Sequence, residues 1–543
     1  MTSPSPRQTE SLSGSLNLLI TAALSGASVM VIELAAVRLI APWFGTSLVV
    51  WSNVIAVVLL GLALGYLLGA RFSRSDAPES RLLTLLAIGA LATAWTPLIA
   101  GPVARTFVPS GLTLDQAVGV FRWGSLATAL SLFLLPALVL GGVGPLVTEL
   151  VAIRGGLHSG DAGGRVLFAS TVGSLLGVFG TSYWAVPELG MRGTFFLAAG
   201  LLTLAAGALL LGRRARHGVP PVLLLFVVAG GLFALEPADA QSDMKLLEVR
   251  ESPYQRVRVV ESTADGKRFL QVNESTNSFQ SVWQKDAGLL TGSFYYNDFV
   301  LPAWWTALEA ASDAAPRSWR VLCIGMGGGT SKRVLEGALP THFQLAYSGI
   351  ELDPVVVELA RKWCDLTEGP NDQIIAGLDG RAGARLLDPG FDQIIVDAYA
   401  NQIEIPPHLV TLQFFKELKD QLAPGGWIQI NVGGESTTAP LVKAIAGTLS
   451  RALDASVLIM QVPGTRNLEL VARVGATVPT PSSTSWKPEG LPAQIRSLLQ
   501  GRDVRGQWDW VGPSSPVDLI LTDDRAPVET LELMSLEQLR AGA

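Results

Sequence analysis

Glu351 and Asp397 each stand at the end of a predicted strand, and Gly325-Met326-Gly327-Gly328-Gly329 follows a third, Val321-Leu322-Cys323-Ile324. A glycine turn that leaves a buried strand lets backbone approach a ligand with no side chain in between. Glu351 lies 22 residues beyond Gly329, the kind of spacing at which a strand-end carboxylate holds ribose hydroxyls. These residue types read as a nucleoside-binding half-fold. Asp397, after Gln393-Ile394-Ile395-Val396, adds a second strand-end carboxylate.

The elements that must position these groups follow from patterning. Strands are predicted over 321–324, 346–352 and 393–396, with a helix opening near Thr330. Upstream, 246–260 and 268–272 alternate as strands around Ala264-Asp265-Gly266-Lys267, which predicts a small antiparallel lid. Three short strings precede the glycine turn in order: Ser252-Pro253-Tyr254-Gln255, Leu270-Gln271-Val272-Asn273 and Tyr295-Tyr296-Asn297-Asp298.

The chain is too long for one ordinary domain, and a hydrophobic share of 49% against 16% charged residues is unusual for a water-soluble protein. That average hides two unlike halves. No lysine occurs before Lys245, whereas lysines, acids and polar turns return at ordinary density after it. Candidate membrane spans fall at 16–41, 48–70, 82–103, 125–152, 166–187, 193–212 and 219–235, the last only marginally long. Gly61, Gly65 and Gly69, and again Gly173 and Gly177, stand four apart, a spacing that lets helix backbones touch. The Gly141-Gly142-Val143-Gly144-Pro145 break predicts a kink or a cavity lining. Glu33 and Arg38 inside the first span predict an internal ion pair or a snorkelling arginine.

Net charge is -6 with no basic stripe, which excludes a nucleic-acid partner on charge grounds. The two cysteines, Cys323 and Cys364, suggest neither a disulfide framework nor a metal site. Arginines concentrate in the second, fourth and sixth loops, which positive-inside logic puts in the cytoplasm. Seven spans would then leave the second half outside, while a nucleoside ligand favours the cytoplasmic side; the expectation is a multi-pass protein of the cell inner membrane with a cytoplasmic second half.

Taken together, the strings resemble the spermidine synthase (polyamine aminopropyltransferase) family, in the bacterial branch fused behind a multi-span membrane half. Tyr254-Gln255, Tyr296, Gly325 to Gly329, Glu351, Asp379-Gly380 and Asp397 take the places of the family's motifs. The fused branch looks similar again in Asp397-Ala398-Tyr399, in 405–411 and in 522–529. The implied organisation is a multi-pass α-helical membrane domain (1–240), a small β-hairpin subdomain or lid (241–317), and an α/β Rossmann-like, class I methyltransferase-type domain (318–543). The resemblance implies S-adenosylmethionine or its decarboxylated form as substrate and no metal. Gln255, Gly325, Gly327 and Gly380 would lie near it, Glu351 on its ribose and Asp379 at its adenine amino group. Asp397 would assist the attacking amine, with Tyr296 beside the reacting carbon and Tyr254, Tyr399 and Asn277 contacting substrate. A small molecule such as an amine, the lipid bilayer and a second copy of the chain are the implied partners.

Two departures bear on the acceptor. The acid of the family's glycine turn falls on Gly328, and the second acid of its catalytic loop falls on Ala400. A diamine carries two positive charges, so loss of these carboxylates weakens the case for one. Asp298, Glu404, Asp523 and Asp524 are candidate substitutes, and His408 beside Pro406-Pro407 reads as a loop-packing residue. Three alternatives to an aminopropyltransferase therefore stand at this stage: a lyase in which the substrate's own carboxylate attacks, a methyltransferase, and a non-enzymatic nucleoside sensor or transport-linked protein.

Overall fold

A computed structural model of the chain describes residues 6–44, 48–107, 123–211, 243–272, 279–309, 315–399, 405–475, 478–479, 490–503, 507–532 and 534–535. The chain divides into two compact units, Met1–Ala240 with Glu251–Gln255, and Gln241–Arg250 with Arg256–Ala543.

Apolar runs make the first unit helical. Its helices are α1 (Pro6–Phe44), α2 (Leu48–Ser73), α3 (Pro78–Phe107), α4 (Ser125–Gly141), α5 (Val143–Gly155), α6 (Ser159–Gly180) and α7 (Val186–Leu211). Five segments among the described residues are long and apolar enough to cross a bilayer, the last of them Ser159–Leu210. That segment, 52 residues long, holds the fifth and sixth expected spans. It is about two and a half times what a ~30 Å hydrocarbon core requires, and Gly190, at φ 66° and ψ -179°, breaks its helix. The seventh expected span, 219–235, lies outside the described residues.

The glycine rows are contact stripes. A Cβ on Gly65 would overlap the Leu138 carbonyl of α4, and one on Gly173 would overlap the Ala23 carbonyl of α1. At the 141–145 break the helix is interrupted at Gly142, between α4 and α5, and Gly141 is a contact of the same kind, since a Cβ there would come 2.5 Å from the Leu62 carbonyl oxygen. Leu60, Leu64 and Leu67 of α2 face outward instead. Small residues inside and large apolar ones outside reverse the order of a water-soluble helix and suit a lipid solvent.

In the second unit, β1 (Met244–Glu251), β2 (Arg256–Ser262), β3 (Arg268–Val272) and β4 (Ser281–Trp283) form a four-stranded sheet in that order. The stretch expected as one strand from 246 to 260 is two strands. Ser252 divides them, because its Oγ accepts from the Tyr254 and Gln255 N–H groups and folds the chain into a turn.

The larger sheet is built from β5 (Arg317–Ile324), β6 (Phe343–Glu351), β7 (Gln373–Ala376), β8 (Phe391–Val396), β9 (Leu422–Gly433), β10 (Val457–Gln461), β11 (Asn467–Arg473) and β12 (Trp508–Val511). Its order is β12-β10-β11-β9-β8-β5-β6-β7. The run from β7 to β9 is parallel, while β11 enters antiparallel beside β9. This is the Rossmann-like, methyltransferase-type arrangement. Leu322 and Ile324 pack on one face of β5 and Val321 and Cys323 on the other; burial on both faces is why the strand reads as a continuous apolar run. Helices α8 (Leu301–Glu309), α9 (Thr330–Ala338), α10 (Pro354–Trp363), α11 (Gly380–Ala384), α12 (Leu412–Gln421), α13 (Pro440–Leu453) and α14 (Ala493–Arg502) complete the unit. Because the chain winds from β5 towards β7 in one direction and from β8 to β9 in the other, the topological switch lies between β5 and β8. Ligand crevices form at the carboxyl ends of strands at such a point. Both cysteines are buried and free.

Candidate active site

The turn after β5 requires glycine for the chain's own closeness. Gly325 has φ 81°, and a Cβ there would sit 2.5 Å from the Asp397 carbonyl oxygen. The ends of β5 and β8 therefore meet backbone to backbone. Gly327, at φ 52°, turns its N–H onto Glu351 Oε2 at 2.9 Å, and the Asp353 N–H donates to Oε1 at 3.1 Å. Two backbone donors thus fix the Glu351 carboxyl beside the glycine turn. Burial pushes its pKa up to about 7 in spite of the Asp353 and Gly327 donors.

Asp397 leaves β8 one residue past its end and is gripped from two directions. Asn431 Nδ2 of β9 donates to Oδ1 at 2.9 Å, and the Tyr295 hydroxyl donates to Oδ2 at 3.0 Å. Burial pushes its pKa up to about 7, the Asn431 and Tyr295 hydrogen bonds oppose this, and the Glu351 charge adds to it. Burial, with the Asp397 charge, also holds the Tyr295 phenol well above its ordinary value, so Tyr295 remains a donor. A carboxyl that changes charge near neutrality is suited to taking a proton from an amine.

The two tyrosines of the pair are placed differently. Tyr296, expected beside the reacting carbon, is buried and donates its hydroxyl to the Gln280 carbonyl at 2.5 Å. Its ring stacks on Tyr295 at 4.0 Å, and it is Tyr295 that reaches Asp397. In the turn Tyr295–Val300, adjacent side chains point differently, and sequence order does not reveal which one faces the sheet.

Asp379 caps α11, accepting from the Arg381 and Ala382 N–H groups, and its Oδ2 lies 2.8 Å from His408 Nε2. Burial works against the charged form, but His408 and the Ala382 and Arg381 N–H groups hold its pKa below the usual value. His408, expected to pack in a loop, is thus a partner of Asp379. Gly380 packs on Ile324 where a Cβ would overlap that side chain. Tyr399 braces the end of β9, donating to the Asn431 carbonyl at 2.9 Å and accepting from the Gly433 N–H at 2.7 Å. Tyr254 and Gln255 occupy the Ser252 turn, a segment grouped with the first unit. Asn277 lies outside the described residues.

No protein-family model matches the chain. A probable polyamine aminopropyl transferase of Bifidobacterium longum is 29% identical over 275 residues, 48% of this chain and 57% of that protein. A polyamine aminopropyltransferase of Mycobacterium tuberculosis is 28% identical over 463 residues, 80% of each chain. The chain is a relative of the polyamine aminopropyltransferases. It spans a little over half the length of the Bifidobacterium protein. Among solved structures, a probable spermidine synthase from Corynebacterium glutamicum is similar at 22% identity and TM-score 0.36, covering 50% of this chain and 98% of that one.

Where the aminopropyltransferase pattern puts an acid in the glycine turn, this chain has Gly328, and the structure gives a steric reason. A Cβ there would come 2.9 Å from Ser281 Cβ, and Ser281 Oγ accepts the Gly328 N–H at 2.7 Å. Ser281 of β4 occupies the space. Two of the nominated substitute acids already have partners of their own. Asp298 is fully buried against Arg502, and Asp523 is held by Arg381 and Thr411. Glu404 and Ala400 lie outside the described residues. Sequence reasoning missed Tyr295, Ser281 and Asn431; only Tyr295 carried a signal, as the neighbour of Tyr296.

Proposed function

We propose that the second unit is a spermidine-synthase-like transferase that uses decarboxylated S-adenosylmethionine, or S-adenosylmethionine itself, to alkylate an amine. The observation that carries this reading is Asp397 at the topological switch, held by Tyr295 and Asn431 and set beside the Glu351 turn. The amine nitrogen attacks the side-chain carbon bonded to the sulfonium. As the new C–N bond forms, the C–S bond breaks and its electron pair returns to sulfur, releasing neutral 5'-methylthioadenosine. The proton leaving nitrogen passes to the Asp397 carboxylate. Little else is needed, because the sulfonium is already a good leaving group and the protein's part is positioning and proton acceptance. The helical unit anchors the enzyme in the cell membrane, with the second unit on the cytoplasmic side where such nucleosides are made.

Purified protein incubated with each sulfonium compound, with and without a panel of amines, should release methylthioadenosine only when an amine is present. Release without any amine would overturn the transferase reading in favour of intramolecular attack, and S-adenosylhomocysteine would show methyl transfer instead.

Glu351 is assigned to the ribose hydroxyls. Glu351→Gln should weaken binding of methylthioadenosine by roughly 10- to 100-fold in calorimetry, the effect of losing hydrogen bonds to a charged group worth ~1.5–3 kcal/mol. An unchanged Kd would remove Glu351 from the ligand site.

A further inference from the structure

Glu469 lies mid-strand in β11, fully buried, with the Gln429 side chain of β9 as its hydrogen-bonding neighbour. Directly opposite it in the antiparallel pair stands Asn431 of β9. Asn431 donates through Nδ2 to Asp397, while its own Oδ1 lacks a partner among the described residues. Side chains directly opposite in such a pair start from Cβ atoms ~4.5–5.5 Å apart, within reach of a glutamate. Across the pair the Glu469 carboxyl therefore faces Asn431 Oδ1, an acceptor without a donor among the described residues. An ionised Glu469 would leave Asn431 Oδ1 without a donor and a charge in a dry place, whereas a neutral carboxyl carries an O–H that can donate to Asn431 Oδ1 while its other oxygen accepts from Gln429.

Several groups surround this pair. Asp298 on the Tyr295–Val300 turn, itself bonded to Arg502 of α14, Asp397 after β8, Tyr399 in the following loop and Gln429 on β9 all act on Glu469 or are acted on by it. Burial holds the Glu469 carboxyl well above its ordinary pKa, and the Asp298 and Asp397 charges reinforce this against Gln429 and Arg502.

We propose that Glu469 is a positioning residue for Asp397: its neutral carboxyl donates across the β9–β11 pair to Asn431 Oδ1 and so fixes the amide whose Nδ2 donates to Asp397. The Asn431 amide has two ends. Turned by half a rotation, it would set Oδ1 against the Asp397 carboxylate and remove one of that group's two donors. A donor on Oδ1 forbids this rotation. The part of the proposal that concerns turnover rests on the transferase reading above; the hydrogen-bond part does not.

The test uses the full chain in detergent and two variants. Glu469→Gln keeps an N–H donor for Asn431, whereas Glu469→Met keeps the volume and removes the donor. Infrared titration should show a protonated-carboxyl C=O band at pH 8 that is absent from Glu469→Gln and present in Asp397→Asn and Glu351→Gln. Absence of that band in the unmodified protein would overturn the proposal, as would its persistence in Glu469→Gln. In Glu469→Met the Asp397 band should titrate about one pH unit higher than in the unmodified protein, and in Glu469→Gln it should not move. The acid limb of kcat/KM should follow the same pattern. An unmoved Asp397 titration in Glu469→Met, or equal shifts in both variants, would also overturn it. If the infrared pattern holds while no sulfonium compound is turned over, the transferase reading fails and the positioning role stands.

Discussion

Asp397→Asn retains ligand affinity and lowers turnover by ~10²-fold or more, the loss expected when a positioned proton acceptor becomes neutral. The asparagine is nearly isosteric: Asn431 still donates to its oxygen, and the Tyr295 hydroxyl turns to accept from its N–H. Binding measured by calorimetry and turnover measured by methylthioadenosine release therefore separate, and equal turnover in the two proteins would remove Asp397 from the mechanism. In the unmodified protein the pH profile should fall on the acid side with an apparent pKa of about 7, because the carboxylate is the working form. Glu351, pushed up to about 7 as well, titrates in the same window and belongs to the same limb, so the limb in Glu351→Gln should move to lower pH. The stability effect has the opposite sense. An acid whose folded-state pKa lies above its unfolded value favours the fold below the unfolded pKa and loses that contribution as pH rises through the folded one. Asp397→Asn should thus melt no lower than the unmodified protein at pH 8, which distinguishes lost chemistry from lost structure.

The largest expected loss of stability comes from Asp298→Ala. Arg502 donates through Nε to both Asp298 oxygens, at 2.9 and 3.1 Å, with Asp298 0% and Arg502 5% exposed. Deleting the carboxylate leaves a guanidinium buried without its counter-charge, a change that costs ~3–5 kcal/mol. The Asp298 carbonyl also accepts from Gln429, and Tyr295 stands in the same turn, so loosening it should displace the hydroxyl that holds Asp397. Thermal unfolding followed by tryptophan fluorescence should show a lower midpoint for Asp298→Ala. Asp298→Leu combined with Arg502→Met should recover most of the loss, since replacing both charges by apolar groups removes the uncompensated one. An unchanged midpoint in Asp298→Ala would mean that Arg502 reaches water.

Much of the second unit was legible because its signals are local. The continuous apolar run of β5 follows from burial on both faces, and Gly325 is demanded by a positive φ and by contact with the Asp397 backbone. Gly65 and Gly173 of the first unit were legible as helix contacts for a similar reason, since helical periodicity puts them on one face. Three things were decided only by the tertiary structure. Tyr295 rather than Tyr296 meets Asp397, Ser281 fills the place of the absent acid at Gly328, and Asn431 and Glu469 come together behind Asp397. Strand period fixes which face a residue takes, but the neighbour it finds there depends on the register of a strand from elsewhere in the chain. Asn431 is 34 residues from Asp397, and no local pattern states that β9 and β11 set it opposite Glu469.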